Sequence, residues 1–364
     1  MKSKLIGISV SSDGRRAYLL RLLLLAMLLV IQKADRVQAC SAVTSSANSL
    51  SLVAANYDWT ARGGIVFESP RGQRKQSIRF HQDGATASWR SKYASLTVSQ
   101  FGRDFPMQGL NEAGLMGVVL VAPADYPRQG PLGVIAEVSW LQYQLDQFAT
   151  VEEVIAHAGD FGIEKVSAYL HWYLCDARHT CIIVEFERGQ PVIHQLDPQG
   201  VRAATNSSFR ASSEALRSWQ SSGSEAVPHG YQSINRYIRL ANRDSFAHEW
   251  QLVEAIDDVA LQGFTAFQTI FDSQSKELRV RLPNSPWQTL GFDQRSIACT
   301  SKLEMYNLQT GVWESYDYAT VDRLFADATD GAEDLTDERR RRILDATSVV
   351  DCDDEAYQSH WRGR

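Results

Sequence analysis

A chain of 364 residues with 44% apolar side chains can bury a large core, and a single elaborate domain fits that length. Its 37 basic against 43 acidic residues leave a formal charge of −6, and without the first 39 residues the balance is 30 against 41, or −11. Such a chain is a poor partner for nucleic acid or for an anionic membrane surface.

Residues 1–39 read as an export signal. Lys2, Lys4, Arg15 and Arg16 give a basic start, 22–31 is an unbroken apolar run, and small residues precede the proposed cut in Val37-Gln38-Ala39-Cys40. The run is too short to span a bilayer, which takes roughly 18 or more apolar residues. Arg15-Arg16-Ala17-Tyr18-Leu19-Leu20 also fits a twin-arginine box, so that route and the ordinary secretory one both remain open. The expected location is periplasmic or secreted, in a bacterial context.

Cleavage after Ala39 makes Cys40 the first residue of the mature chain. An N-terminal cysteine carries its own base, because its free α-amine has an ordinary pKa near ~8 and lies within reach of the thiol. The competing reading of the same residues is a lipoprotein, in which Cys40 is acylated. Gln38 is a poor fit to the small residue usual there, and the polar stretch 32–36 separates the apolar run from the cut. Acylation would also block the sulfur and the amine.

Downstream, 41–55, 64–68, 95–100, 115–121, 169–174 and 181–187 are short runs rich in β-branched or aromatic residues and predict strands. Spacing over 140–148, 151–158 and 234–242 predicts helices, and Thr150 followed by Glu153 makes a capping box. Strands and helices mix without βαβ alternation, which implies the α+β class, with antiparallel sheets flanked by helices. Cys175 and Cys181 bracket the turn of an expected hairpin, where the thiols can face each other, and Cys299 and Cys352 can pair by elimination. Four small buried thiols fit the same sequence equally well. Beyond Asp322 the chain alternates acidic 330–337, basic 339–342 and acidic 351–355, and reads as a solvated helix over 333–346 with a loose end.

The eight histidines show no H-E-x-x-H helix, there is no Cys-x-x-Cys pair, and no P-loop, dinucleotide fingerprint or Gly-x-Ser-x-Gly elbow is present. Neither a metal nor a cofactor is expected. Cofactor-free acyl transfer is what remains.

From Cys40 onward the sequence is similar to the choloylglycine hydrolase family, which includes bile salt hydrolases and penicillin V acylases and belongs to the N-terminal nucleophile hydrolases. The resemblance covers most of 40–320. It is carried by Cys40-Ser41-Ala42; Asn56-Tyr57-Asp58-Trp59; Gly109-Leu110-Asn111-Glu112-Ala113-Gly114-Leu115; Leu170-His171-Trp172; Thr205-Asn206-Ser207; and Asn235-Arg236-Tyr237-Ile238-Arg239, in that order and spacing.

The resemblance implies a four-layer αββα sandwich over 40–322, after a signal peptide over 1–39 and before a charged, partly helical tail over 323–364. It implies that Cys40 attacks the carbonyl of a linear amide and that Asp58 orients the α-amine. Asn206 donates to the oxyanion and Arg236 braces the site. The backbone N–H of Val121 stands where bile salt hydrolases place an asparagine near the oxyanion.

Ala55 departs from the family, which has an arginine there beside the sulfur. Arg62 and His171 are the candidates to replace that charge. Seen alone, His171 reads as a satisfied core histidine, and Asn111 as a structural turn residue. The implied substrate is a small acyl amide of the penicillin V, bile-salt or N-acyl homoserine lactone type. Family members are often tetramers, so a homotetramer is the implied assembly. The alternative function is a catalytically impaired member that acts as a lipid-anchored or soluble binding protein.

Overall fold

The computed structural model describes residues 40–45, 51–59, 63–80, 84–198, 202–224, 226–243, 246–292, 304–328, 338, 340–343 and 351–352. The expected signal, Arg62, Cys299 and most of the tail lie outside these residues, and for Cys352 only the backbone is described.

In chain order, β1 (Ser41–Thr44), β2 (Leu52–Asp58), β3 (Ile65–Ser69), β4 (Gln73–Gln76), β5 (Ser88–Arg90), β6 (Ser95–Ser99), β7 (Gln108–Asn111), β8 (Met116–Val121) and β9 (Val134–Ala136) precede α1 (Glu137–Gln147) and α2 (Val151–His157). Strands β10 (Gly162–Glu164), β11 (Leu170–Cys175), β12 (Cys181–Glu187), β13 (Gln190–Gln195) and β14 (Ala203–Ala204) then lead to α3 (Phe209–Ser221), α4 (Ser233–Ala241) and α5 (Glu249–Asp258). Last come β15 (Thr265–Asp272), β16 (Glu277–Arg281), β17 (Gln288–Gly291), β18 (Glu304–Asn307), β19 (Val312–Ser315), α6 (Tyr318–Ala328) and β20 (Asp351–Cys352).

Two large sheets form. One has six strands in the order β14-β1-β2-β15-β16-β17, the other nine in the order β13-β12-β11-β8-β7-β6-β3-β18-β19. The expected strand over 41–55 is in fact a hairpin, β1 paired antiparallel with β2.

Period-two alternation sorts the side chains into layers. In β2, buried throughout, Val53, Ala55 and Tyr57 face the other sheet, while Leu52 and Ala54 face helices. In β11, Tyr173 and Cys175 point into the inter-sheet core and Leu170, Trp172 and Leu174 point outward. The inter-sheet core joins those inner faces to Phe267 and Phe271 of β15 and Val118 and Leu120 of β8.

Outside the six-stranded sheet, Leu216 of α3, Tyr237 and Ile238 of α4 and Leu252 and Ile256 of α5 cover Val43, Leu52, Ala54 and Ile270. Outside the nine-stranded sheet, Trp140, Leu141 and Leu145 of α1 cover Val119, Trp172 and Val184. Helix, sheet, sheet, helix is the four-layer αββα sandwich that the resemblance implied.

Two local devices set α1 on its sheet. Gly109 and Gly117 are directly paired across β7 and β8. A Cβ on Gly117 would come within 2.3 Å of Leu141 Cδ1, and one on Gly109 within 2.6 Å of Leu145 Cδ1, so two leucines one helical turn apart drop into the space the glycines leave. Asn111 then holds the helix end, donating to Leu145 O at 2.8 Å and Phe148 O at 2.7 Å while accepting from Ala113 and Leu115 N–H. Asn111 is thus structural, as its turn position suggested. The capping box is present at α2, with Thr150 and Glu153 bonded reciprocally.

The hairpin of β11 and β12 closes with Cys175 opposite Cys181 and a disulfide between them, so of the two readings for these thiols the cross-strand bond holds.

Candidate active site

The register of the six-stranded sheet assembles the site at one end of the inter-sheet core. In the β1–β14 pair Ala42 faces Ala204, so carrying that register two residues further sets Cys40 opposite Asn206. In the β1–β2 pair Ser41 faces Asn56, which puts Cys40 across from Tyr57 and beside Asp58. Thr265, at the start of β15, pairs with Asp58 from the other side.

Cys40 is 3% exposed and is the free cysteine among the described residues. Burial, and secondarily the nearby charge of Asp58, push its thiol up to about 12, while the Asp58 backbone N–H and the Arg236 guanidinium pull it down. The thiol is therefore protonated at neutral pH. Asp58 is also buried. Desolvation raises its carboxyl to about 7, against the opposing pull of the Thr265 hydrogen bond and of Arg236. Its Oδ1 accepts from the Thr265 hydroxyl, and its Oδ2 has no hydrogen-bond partner among the described residues.

Arg236, in the first half of α4, is 1% exposed. Its Nη1 donates to Cys40 O at 2.7 Å and to Ser41 Oγ at 2.6 Å, its Nη2 to Asn206 Oδ1 at 2.9 Å, and its Nε to Tyr231 O at 3.0 Å. Burial lowers its pKa to about 10, so it remains a cation at neutral pH. Asn206 Nδ2 donates in turn to Val121 O at 2.9 Å. One hydrogen-bonded chain thus runs from Cys40 through Arg236 and Asn206 to Val121. An amide nitrogen carries two hydrogens, so Asn206 keeps one to give.

The ladder explains Val121. Ala122 N–H bonds to Tyr169 O, so in antiparallel alternation the N–H and C=O of Val121 point away from β11, toward the side of β7. The last pair between β7 and β8 is Gln108 with Val118, so β7 has ended before Val121 is reached.

The structure thus brings together all five residues expected from the sequence. Ala55 is fully buried in the inter-sheet core, paired with Ala42 on one side and Thr269 on the other. Among the described residues, the cation acting on Cys40 is Arg236. Both nitrogens of His171 are engaged elsewhere, Nδ1 with Glu185 Oε1 at 3.0 Å and Nε2 with Thr205 O at 2.8 Å. It is the satisfied buried histidine that its type suggested, and it does not supply the missing charge.

Sequence reasoning missed Thr265, Ser41 and Glu185. Glu185 was within reach, because Trp172 facing Val184 in the hairpin register puts His171 opposite Glu185. Thr265 lies 207 residues from Asp58 and had no local signal. Among the described residues no group of three or more His, Cys, Asp or Glu could hold a metal ion.

The fold and this constellation define the class. The family described as linear amide C-N hydrolases, choloylglycine hydrolase family, matches residues 40–239, and the chain belongs to it. A penicillin V acylase of Pectobacterium atrosepticum is 29% identical over 172 residues, 42% of this chain and 45% of that relative, so the match spans about half of the relative's length. Among solved structures, a penicillin V acylase from Agrobacterium tumefaciens superposes with a TM-score of 0.60 at 24% identity, covering 74% of this chain and 90% of that one. A conjugated bile acid hydrolase from Clostridium perfringens gives 0.57 at 16% identity, covering 76% and 96%. At these identities the two structures attest the shared fold.

Proposed function

We propose that the protein is an exported hydrolase of linear amides whose nucleophile is Cys40, freed as the N-terminal residue by removal of 1–39. The observation that carries this reading is the placement of Cys40 opposite Asn206 and beside a buried Asp58 whose Oδ2 is unpaired. In the uncut chain the Cys40 nitrogen is a peptide amide and cannot take a proton. Cleavage turns it into an amine next to the Asp58 carboxylate, which then has a donor to orient.

The chemistry follows from these positions. The amine takes the thiol proton, and sulfur attacks the amide carbonyl carbon. The resulting oxyanion accepts from the second Asn206 Nδ2 hydrogen and from Val121 N–H. The ammonium then protonates the leaving nitrogen, the C–N bond breaks, and an amine departs from a thioester. Water gives a proton to the α-amine as it attacks the thioester, and collapse releases the carboxylic acid and restores the thiol. Arg236 holds Cys40 and Asn206 in a common frame throughout.

The substrates proposed are small acyl amides, with penicillin V first because the curated relative is an acylase of that compound. Conjugated bile salts and N-acyl homoserine lactones follow. The test is intact mass and N-terminal sequencing of the exported protein, followed by turnover of these amides before and after iodoacetamide. An unmodified, alkylatable Cys40 at the N-terminus, with alkylation abolishing turnover, is the expected result. A start elsewhere, or an acylated Cys40, would overturn the mechanism and favour the binding-protein alternative.

A further inference from the structure

The hydrogen bonds that hold Asn206 continue past it into a second buried cluster. Thr205 O belongs to the peptide unit whose nitrogen is Asn206 N, and it accepts from His171 Nε2 at 2.8 Å. The other ring nitrogen meets Glu185 Oε1 at 3.0 Å. Glu185 Oε1 also accepts the Phe209 N–H at the start of α3, at 2.8 Å, and its Oε2 meets His194 Nε2 at 3.0 Å. His171 is 1% and Glu185 3% exposed.

A backbone carbonyl only accepts, so Nε2 carries a hydrogen. Nδ1 faces the Glu185 carboxylate, which takes the Phe209 N–H on the same oxygen and meets His194 on the other. Burial would raise the Glu185 carboxyl, but its bonds from His171, His194 and Phe209 outweigh burial and hold it at about 2, ionised across the neutral range.

The position of His171 gives this cluster a bearing on the reaction. Its backbone pairs with Leu120, the neighbour of Val121, while its side chain grips the peptide unit of Asn206. One residue therefore ties together the strand end that presents Val121 N–H and the loop that presents the Asn206 amide. Arg236 fixes Asn206 through its side-chain oxygen, whereas His171 fixes it through the backbone.

We propose that His171, oriented by Glu185, is a positioning residue for the oxyanion donors: it sets the Thr205–Asn206 peptide plane relative to Val121 and so aims the Asn206 amide. This rests on the amidase reading above. A misaimed oxyanion donor costs rate and leaves substrate binding nearly intact, because the interaction is made in the transition state. It also leaves thiol alkylation untouched, because alkylation of Cys40 forms no oxyanion.

The experiment compares processed wild type with His171→Leu, His171→Gln and Glu185→Gln. Penicillin V turnover is read beside the rate of Cys40 alkylation by iodoacetamide. With Leu at 171, kcat falls about 10- to 100-fold while KM and the alkylation rate hold within about threefold. With Gln, whose amide reaches Thr205 O from the place of Nε2, kcat recovers most of that loss. Glu185→Gln lies between wild type and His171→Leu.

An unchanged kcat in His171→Leu, a parallel fall of kcat and alkylation, or a Gln variant no better than Leu overturns the proposal. If His171→Leu does not fold, the Gln variants decide, and equality of both with wild type is the overturning result. The Asn206 side-chain NH2 resonances, assigned with Asn206→Asp, give a readout independent of turnover. They shift on substitution of His171 if the positioning is real and stay put if it is not. Absence of turnover in the wild type together with shifted resonances removes the amidase reading and leaves the positioning.

Discussion

Asp58 shows how one buried atom carries a functional argument. A carboxylate in the core is costly unless every oxygen is satisfied. Here Thr265 satisfies Oδ1, while Oδ2 has no partner among the described residues, on a carboxyl whose charge acts on Cys40. Burial raises the acid to about 7, so the uncut chain bears the penalty without the return. Asp58→Asn tests this. The amide oxygen keeps the Thr265 bond, but its NH2 meets the Cys40 amine donor to donor, so the amine is no longer held as a base. We expect kcat of the processed enzyme to fall by about 100-fold or more, in the range general acid–base groups contribute. The urea midpoint of the uncut chain at pH 8 should hold or rise, since a buried ionised group has been removed. Turnover within a few-fold of wild type would reduce Asp58 to a turn residue.

At the scale of elements, much of the framework was legible because burial on one face leaves a period. Strands β6, β8, β11 and β12 fall within a residue of their predicted runs, and α1, α2 and α4 contain their predicted cores. The failures have physical causes. The polar Ser45-Ser46-Ala47-Asn48-Ser49 between β1 and β2 was a turn signal inside a run of small residues, and it was overridden by the β-branched residues around it. Helix α3 is serine-rich and buries Ser212 with Leu216, so its stripe barely registers as apolar. Helix α5 carried a readable stripe in Leu252, Ala255 and Ile256.

Asn111 was legible as a turn residue, but its grip on α1 was not, since its two acceptors lie 34 and 37 residues away. Asn111→Ala leaves the Leu145 and Phe148 carbonyls, the buried Leu115 N–H and the half-buried Ala113 N–H without this partner. We expect a loss of roughly 3 kcal/mol in urea unfolding, since leaving buried groups unsatisfied costs about 1 to 3 kcal/mol each and local relaxation recovers part. Turnover per folded molecule should be unchanged. A variant as stable as wild type would show that α1 is held by its leucines in the Gly109 and Gly117 slot alone.

For the whole molecule, the buried carboxylates give stability a shape in pH. Glu185 is held at about 2 against an ordinary 4.5, so between those values the unfolded chain binds more protons. Stability therefore rises with pH across that window and is lost as pH falls through it. Asp58 and Glu137 act oppositely. Each is raised to about 7 by burial, Glu137 even though the Val166, Ser167 and Ala168 N–H groups donate to it, so from about 4 to about 7 the native state binds more protons and stability falls as pH rises.

Thermal midpoints of the uncut chain and its variants between pH 2 and pH 8 should separate the two limbs. Glu185→Gln flattens the acidic limb, and Glu137→Gln removes part of the fall above about pH 4.5. The processed protein provides the decisive comparison. The new ammonium beside Asp58 favours its ionised form and lowers its pKa, so the contribution of Asp58 to that fall shrinks or reverses once 1–39 are gone. Carrying Asp58→Asn through both forms isolates the effect. The substitution should change the neutral limb of the uncut chain in the stabilising direction and that of the processed chain in the destabilising one. The same sign in both forms would mean that Asp58 does not engage the amine of Cys40.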